Sequence, residues 1–178
     1  MVVRLRFLVA AAILLAGCGG GSPAKRPDDF ALSFRHADGT VAPPDHAEWS
    51  LAVAPDGDAQ AGYIPDYPGP EVLTFRARVR LTPAQLDRLY GELDRRGLLD
   101  EGLSEPDDVP VGGDRDSATV TAGGEVREIP AFGGDGQRPL EPLVDDIRGL
   151  IPERTWRSFL QRRDEYAMRR YGRRPADR

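Results

Sequence analysis

The most regular pattern in the chain is a strict alternation of apolar and polar residues over positions 73–81. In a strand, apolar side chains at every second position share one face, and the residues between them share the other. One buried face and one face in water are typical of an antiparallel sheet. The pattern therefore predicts a strand whose solvent face carries a row of arginines, Arg76, Arg78 and Arg80.

Shorter alternating segments predict the other strands. Three of them lie upstream, at 30–35, 49–53 and 59–64, and a turn sequence at 55–58 joins the last two. Two more lie downstream, at 117–122 and 125–129, and the two glycines between them are typical of a two-residue hairpin. The second arm of this hairpin alternates poorly, which indicates an edge strand.

The spacing of apolar residues changes to a helical period in three places. Thr82, Pro83 and Gln85 have the identities of a capping box with proline in the first turn, and Gly97 suits a left-handed C-terminal position. These signals predict a helix over about 83–96. Apolar residues at helical spacing predict a second helix over 140–151, and a third segment follows Pro152.

The order of these elements, ββββ-α-ββ-αα, predicts an α+β fold. We expect an antiparallel sheet of about five to six strands, with two to three helices packed on one face. The single domain is predicted to span 28–168. Residues 169–178 are expected to form a basic, frayed tail, because arginines crowd there and the apolar pattern fades.

The first eighteen residues carry a different signal. Arg4 and Arg6 precede an apolar run at 7–16, and the segment closes with Leu15-Ala16-Gly17-Cys18. The run is too short for a spanning helix, which needs about 20 apolar residues. An ordinary signal peptide is the competing interpretation. The position of Cys18, the single cysteine of the chain, decides against it.

This segment resembles a bacterial lipoprotein signal peptide that ends in a lipobox. The resemblance implies removal of residues 1–17, lipidation of Cys18, and anchoring to a membrane on the extracytoplasmic side of a bacterial cell envelope. That membrane would be the outer one in a two-membrane cell and the cell membrane otherwise. Residues 18–27 are rich in Gly, Ser and Pro and predict a flexible tether, which would hold the domain about 15–20 Å from the lipid.

A second resemblance concerns the mature domain. Asp56-Gly57 lies in a predicted hairpin before the arginine-bearing strand, and Leu81-Thr-Pro-Ala-Gln-Leu opens the helix that follows. This layout is similar to that of small uncharacterised bacterial lipoproteins. Because the shared motifs are structural, the resemblance implies no activity.

Charge is unevenly distributed along the chain, whose formal net charge is −5. Residues 27–152 contain 11 Arg against 25 Asp and Glu, whereas residues 153–178 contain 9 Arg against 4 acids. The acidic body argues against a nucleic-acid partner. The basic C-terminal region suits contact with an anionic surface.

Few residues suggest a specific chemistry. The arginine row is a candidate surface for an anion or a partner, although its arginines would also suit a solvated face that pairs with nearby acids. His36 and His46 lie among carboxylates and suggest a zinc site or a hydrolase. Their irregular spacing argues against that interpretation. An acidic loop suggests a calcium site, although its residues lack the spacing of an EF-hand. These residues are Asp107, Asp108, Asp114 and Asp116.

No motif of a serine hydrolase, a P-loop or a dinucleotide site is present. We therefore predict no catalytic residue, cofactor or metal. The favoured hypothesis is a lipid-anchored, non-catalytic binding or scaffolding module that contacts an envelope protein or a glycan. The alternatives are an envelope hydrolase or metal-binding enzyme that uses His36 or His46 with carboxylates, and an inhibitor or immunity-like module that inserts the proline-rich loop 65–70 into a partner.

Overall fold

The computed structural model describes residues 25–100, 103–109, 112–134 and 136–176. The lipobox, including Cys18, lies outside these ranges. The predicted α+β class is confirmed, as is the order of strands and helices. The elements are β1 (Ala31–Ala37), β2 (Glu48–Val53), β3 (Asp58–Ile64), β4 (Phe75–Arg80), α1 (Pro83–Arg95), β5 (Arg115–Ala122), β6 (Glu125–Ile129), a short 3₁₀ turn (Glu141–Leu143), α2 (Val144–Gly149) and α3 (Glu153–Tyr171).

The six strands form one antiparallel sheet in the order β4-β3-β2-β1-β5-β6. The first four strands form a meander, and β5 then pairs with the free side of β1. β1 therefore lies inside the sheet, while β4 and β6 are its two edges. The hairpin between β5 and β6 turns at Gly123 and Gly124, which both have the positive φ that this turn requires.

One face of the sheet holds the hydrophobic core. Alternate residues of each strand are buried there, such as Phe34 on β1, Leu51 on β2 and Val120 on β5. The helices cover this face: α3 places Trp156 against Trp49 and Tyr63. The opposite face, here called the outer face, carries the strand residues that lie between these buried positions and is mostly exposed. The fold has two layers because only one sheet face has an apolar pattern to bury.

Helix α1 begins and ends where the sequence predicts. The Thr82 hydroxyl accepts the amide of Gln85, and the Gln85 side chain accepts the amide of Thr82, which completes the capping box. At the other end Gly97 has a φ of +67°, and the Leu98 amide donates to the Leu93 carbonyl in a Schellman motif. Leu86, Leu89 and Leu93 pack into the core.

The expectation of a frayed tail from residue 169 needs correction. α3 continues to Tyr171 because Tyr166 and Ala167 add a buried stripe beyond the predicted apolar residues. Arg173 pairs with Asp45, whose carboxylate also accepts the amide of Ala176. The C-terminal region is therefore held against the segment before β2. None of the helices in the described ranges combines the length and apolar composition that a membrane crossing needs.

Candidate binding surface

The predicted arginine row lies on the outer face of the edge strand β4. Arg76, Arg78 and Arg80 alternate with Phe75, Ala77 and Val79, which face the core side. All three arginines are exposed. The register with β3 sets their neighbours: Arg76 pairs with Gly62 and Arg80 with Asp58.

The three guanidinium groups differ in their partners. Arg80 forms an ion pair with Asp58 and lies 3.8 Å from a carboxylate oxygen of Asp56. These contacts raise the pKa of Arg80, first through the hydrogen bond that its guanidinium donates to Asp58. Among the described residues, neither Arg76 nor Arg78 has a hydrogen-bond or ion-pair partner. The alternative of a solvated, acid-paired row therefore holds for Arg80 alone.

The surface beside Arg76 is a shallow floor of small side chains. One cross-strand row runs from Arg76 through Gly62 and Ser50 to Arg35. A Cβ atom on Gly62 would lie only 2.6 Å from the Ser50 hydroxyl oxygen, so the absence of a side chain at residue 62 keeps the floor low. Arg35 at the far end is paired with Glu48.

Three concavities open on the outer face. One of about 340 Å³ lies between β2 and β4 beside Arg76, and one of about 720 Å³ lies beside Arg78. A third, of about 780 Å³, lies over β1, β5 and β6, and Leu103 and Glu105 close one side of it. The outward strand residues around them are small, polar or charged apart from the half-buried Ile64, and none has an aromatic ring. Trp49 and Tyr63 border the smallest concavity, but their rings are buried on the core side. The surface can therefore pair charges and donate hydrogen bonds, but it offers no ring for a sugar to stack on.

His36 belongs to the core side of the sheet. Its ring stacks on Trp49, its Nδ1 lies 2.7 Å from a carboxylate oxygen of the fully buried Asp116, and its Nε2 lies 3.4 Å from Asp38. Arg138 donates to the other oxygen of Asp116. Burial disfavours the charged imidazole and lowers its pKa, but the hydrogen bonds and charges of Asp116 and Asp38 outweigh burial and raise the pKa of His36 to about 9.

His46 has a different set of partners. Its ring stacks on Tyr67 at 3.7 Å, Nδ1 lies 3.4 Å from the Gly39 carbonyl, and Nε2 lies 3.6 Å from Glu48. The hydrolase hypothesis expects both imidazoles to meet carboxylates in one pocket. Instead the two rings contact separate residues, and neither lines the three concavities of the outer face.

The acids proposed for calcium do not gather around a common point. Asp116 binds His36 and Arg138, and Asp114 accepts the amide of Gly39. Asp107 and Asp108 are exposed. Over the described ranges, no group of three or more His, Cys, Asp or Glu residues is arranged to hold a metal ion.

The proline-rich loop 65–70 is fixed at its first half. Asp66 is buried and accepts hydrogen bonds from the hydroxyls of Tyr166 and Tyr171 on α3. The Tyr67 hydroxyl donates to the Val41 carbonyl at 2.9 Å. Tyr67 and residues 68–70 are exposed, so the part of the loop from Tyr67 onward is available to a partner.

The chain enters the described fold on the helical side. Arg26 forms an ion pair of 2.8 Å with Asp87 on α1. Asp29, a few residues later, accepts the amides of Gly123 and Gly124, and these bonds lower its pKa. Because α1 packs on the core side of the sheet, the predicted tether meets the domain on the side opposite the outer face.

The sequence matches no model of a known protein family, and no match was found among curated proteins. Sequence reasoning found the arginine row but missed both the floor at Gly62 and the buried pair of His36 and Asp116. The sequence contains one signal for the pair of His36 and Asp116: Asp116 lies two residues before Ala118, at a position of β5 that faces the core.

Proposed function

We propose that the protein is a lipid-anchored, non-catalytic binding module of the bacterial cell envelope, and that the outer face of its sheet binds an anionic component of that envelope. The observation that carries the proposal is the uncovered, concave sheet face with two unpaired arginines, Arg76 and Arg78. Guanidinium groups bind carboxylates and phosphates through paired hydrogen bonds, so an anionic ligand matches this face.

The proposed anchor sets the orientation of this face. Arg26 lies eight positions after Cys18, and even a fully extended chain of that length spans less than about 29 Å. A domain of this size has a radius of gyration of about 15 Å, which makes it roughly 38 Å across. Since the tether meets the helical layer, the outer face is directed away from the membrane that holds Cys18. The expected ligand is therefore an envelope component and not the headgroups of that membrane.

Anchoring is tested by metabolic labelling with an alkyne fatty acid. The wild-type protein is expected to carry the label and to run as the processed form. Cys18→Ser is expected to remain unlabelled and uncleaved, because the acyl chains have no thiol to join. Labelling of the Cys18→Ser protein would show that the lipobox interpretation is wrong.

Binding by the outer face is tested with a photo-crosslinking amino acid in living cells. Gln60 lies on the outer face of β3, directly beside Arg78, and Gln161 is an exposed glutamine on α3 that serves as the matched control. We expect crosslinks from position 60 and none from position 161. The crosslinks should disappear when Arg76→Glu and Arg78→Glu are combined. Equal crosslinking from both positions, or indifference to the two substitutions, would contradict the proposal.

A further inference from the structure

The edge strand β4 has hydrogen-bonding capacity that the described chain does not use. It pairs with β3 alone. No backbone hydrogen bond joins Phe75–Arg80 to any described residue outside that ladder. An antiparallel edge presents alternate N–H and C=O groups outward, which is the template on which another strand pairs.

The charge of this edge is strongly positive. Arg76 and Arg78 rise from its outer side without partners. On the core side, the guanidinium of Arg162 on α3 lies 4.0 Å above the ring of Phe75. Arginines on an edge oppose pairing with a second copy of the same edge, because like charges would lie opposite each other. The same arginines favour a strand that carries acidic side chains.

We propose that β4 accepts an extended acidic segment of a partner polypeptide as a seventh strand of the sheet. In such pairing, main-chain hydrogen bonds supply affinity and alternate side chains supply specificity. Acidic residues at every second position recur at about 7 Å, which is the spacing of Arg76 and Arg78 along β4. The inference rests on the proposed function, since it names the anionic component and the way in which it binds.

Two other occupants fit less well. A second copy would have to present its other edge, β6, whose outward residues Val126 and Glu128 offer a single carboxylate. Such a contact joins two different edges and does not close into a dimer. An acidic polysaccharide satisfies the arginines, but it leaves the amide edge unpaired and finds no aromatic ring on the outer face.

The test measures binding of fluorescent eight-residue peptides to the mature protein at 150 mM salt. One peptide alternates Glu and Thr, a second alternates Lys and Thr, and a third is the Glu peptide with alternate amides N-methylated. The variant combines Arg76→Glu with Arg78→Glu. The matched control combines Arg154→Glu with Arg169→Glu, which changes the same charge on exposed positions of α3.

Relative to wild type, we expect the Glu peptide to bind the β4 variant at least tenfold more weakly and to bind the control variant with unchanged affinity. N-methylation should also weaken it at least tenfold, because the peptide then lacks the donors that face the edge. The Lys peptide should prefer the β4 variant, and amide exchange in Phe75–Arg80 should slow when the Glu peptide binds to wild type.

Two outcomes would overturn edge pairing. The first is equal binding of the N-methylated peptide or of alginate, a polyuronate without amides. The second is concentration-dependent self-association in sedimentation that the β4 variant abolishes, which would make a second copy the occupant. If edge pairing is overturned but the crosslinks from position 60 still depend on Arg76 and Arg78, only the edge-pairing inference is rejected. If no crosslinks form from position 60, the proposed function is rejected as well.

Discussion

Because of the imidazole of His36, the free energy of unfolding of this protein should fall as the pH becomes alkaline. Its pKa is about 9 in the folded state against an ordinary value of 6.5. A folded pKa above the unfolded one means that the charged form stabilises the fold. The contribution is complete below about pH 6.5 and is lost as pH rises through 9. A shift of this size corresponds to at most about 3 kcal/mol, and solvent at the partly exposed ring reduces the expected value to about 2 kcal/mol.

The variant that isolates this contribution is His36→Gln, because glutamine retains a donor for Asp116 without a titrating charge. Chemical unfolding of both proteins at pH 6 and pH 10.5 gives the difference in their free energies of unfolding. We expect wild type to lose about 2 kcal/mol of its advantage between these pH values. Other titrating groups occur in both proteins, so their effects cancel.

A direct measurement provides the control. The NMR titration of the Cε1 proton should place the midpoint of His36 near pH 9 in the folded protein. A midpoint at or below 6.5, or a stability difference that stays constant from pH 6 to pH 10.5, would refute the reasoning. Either result would mean that Asp116 and Asp38 do not compensate for the burial of the charged ring.

Two further predictions concern local geometry, and both are read from thermal and chemical unfolding. Gly57→Ala should destabilise the fold by at least about 1 kcal/mol, because Gly57 has a φ of +90° and a Cβ there would lie 2.5 Å from the Leu81 carbonyl oxygen. Gly149→Ala is its control, since nothing lies within 4 Å of that Cβ; an equal loss at both positions would contradict the steric argument. Thr82→Ala should cost about 1 kcal/mol through loss of the α1 cap, while Thr82→Ser should cost less; no loss in the alanine variant would show that the capping box adds no stability.

The elements that could be predicted from sequence are those whose signals are local. The alternation around β4 and the capping box of α1 each depend on neighbouring residues, and both predictions are confirmed. The start of β4 differs from the prediction: the alternation predicts a strand from residue 73, yet Leu73 is exposed and precedes β4. The position of β5 beside β1 has no local signal, because it depends on a pairing between residues 78 to 90 positions apart.

The candidate site shows the same division. The phase of the arginine row follows from β4 itself, so its outward direction was predictable. Which arginines lack partners was not predictable, because Asp58 reaches Arg80 only through the register of β3 on β4. The contact of His36 with Asp116 likewise depends on the register of β1 on β5. Long-range register, which single-sequence patterns do not contain, therefore decides the chemistry of this protein.

The distribution of acids gives the two unpaired arginines their significance. Acids outnumber arginines by more than two to one in residues 27–152, so an arginine on this body would be expected to find a carboxylate. Arg35 pairs with Glu48, Arg80 with Asp58 and Arg138 with Asp116. Arg76 and Arg78 face a row of Gly, Ser, Ala and Gln instead. Arg88, Arg115 and Arg148 also have no ion pair among the described residues, but they are scattered over different elements. Arg76 and Arg78 lie two positions apart on one exposed edge strand, so an acidic partner meets two free guanidinium groups together there. This pairing of free arginines on β4 is the strongest reason to look for the ligand at this edge.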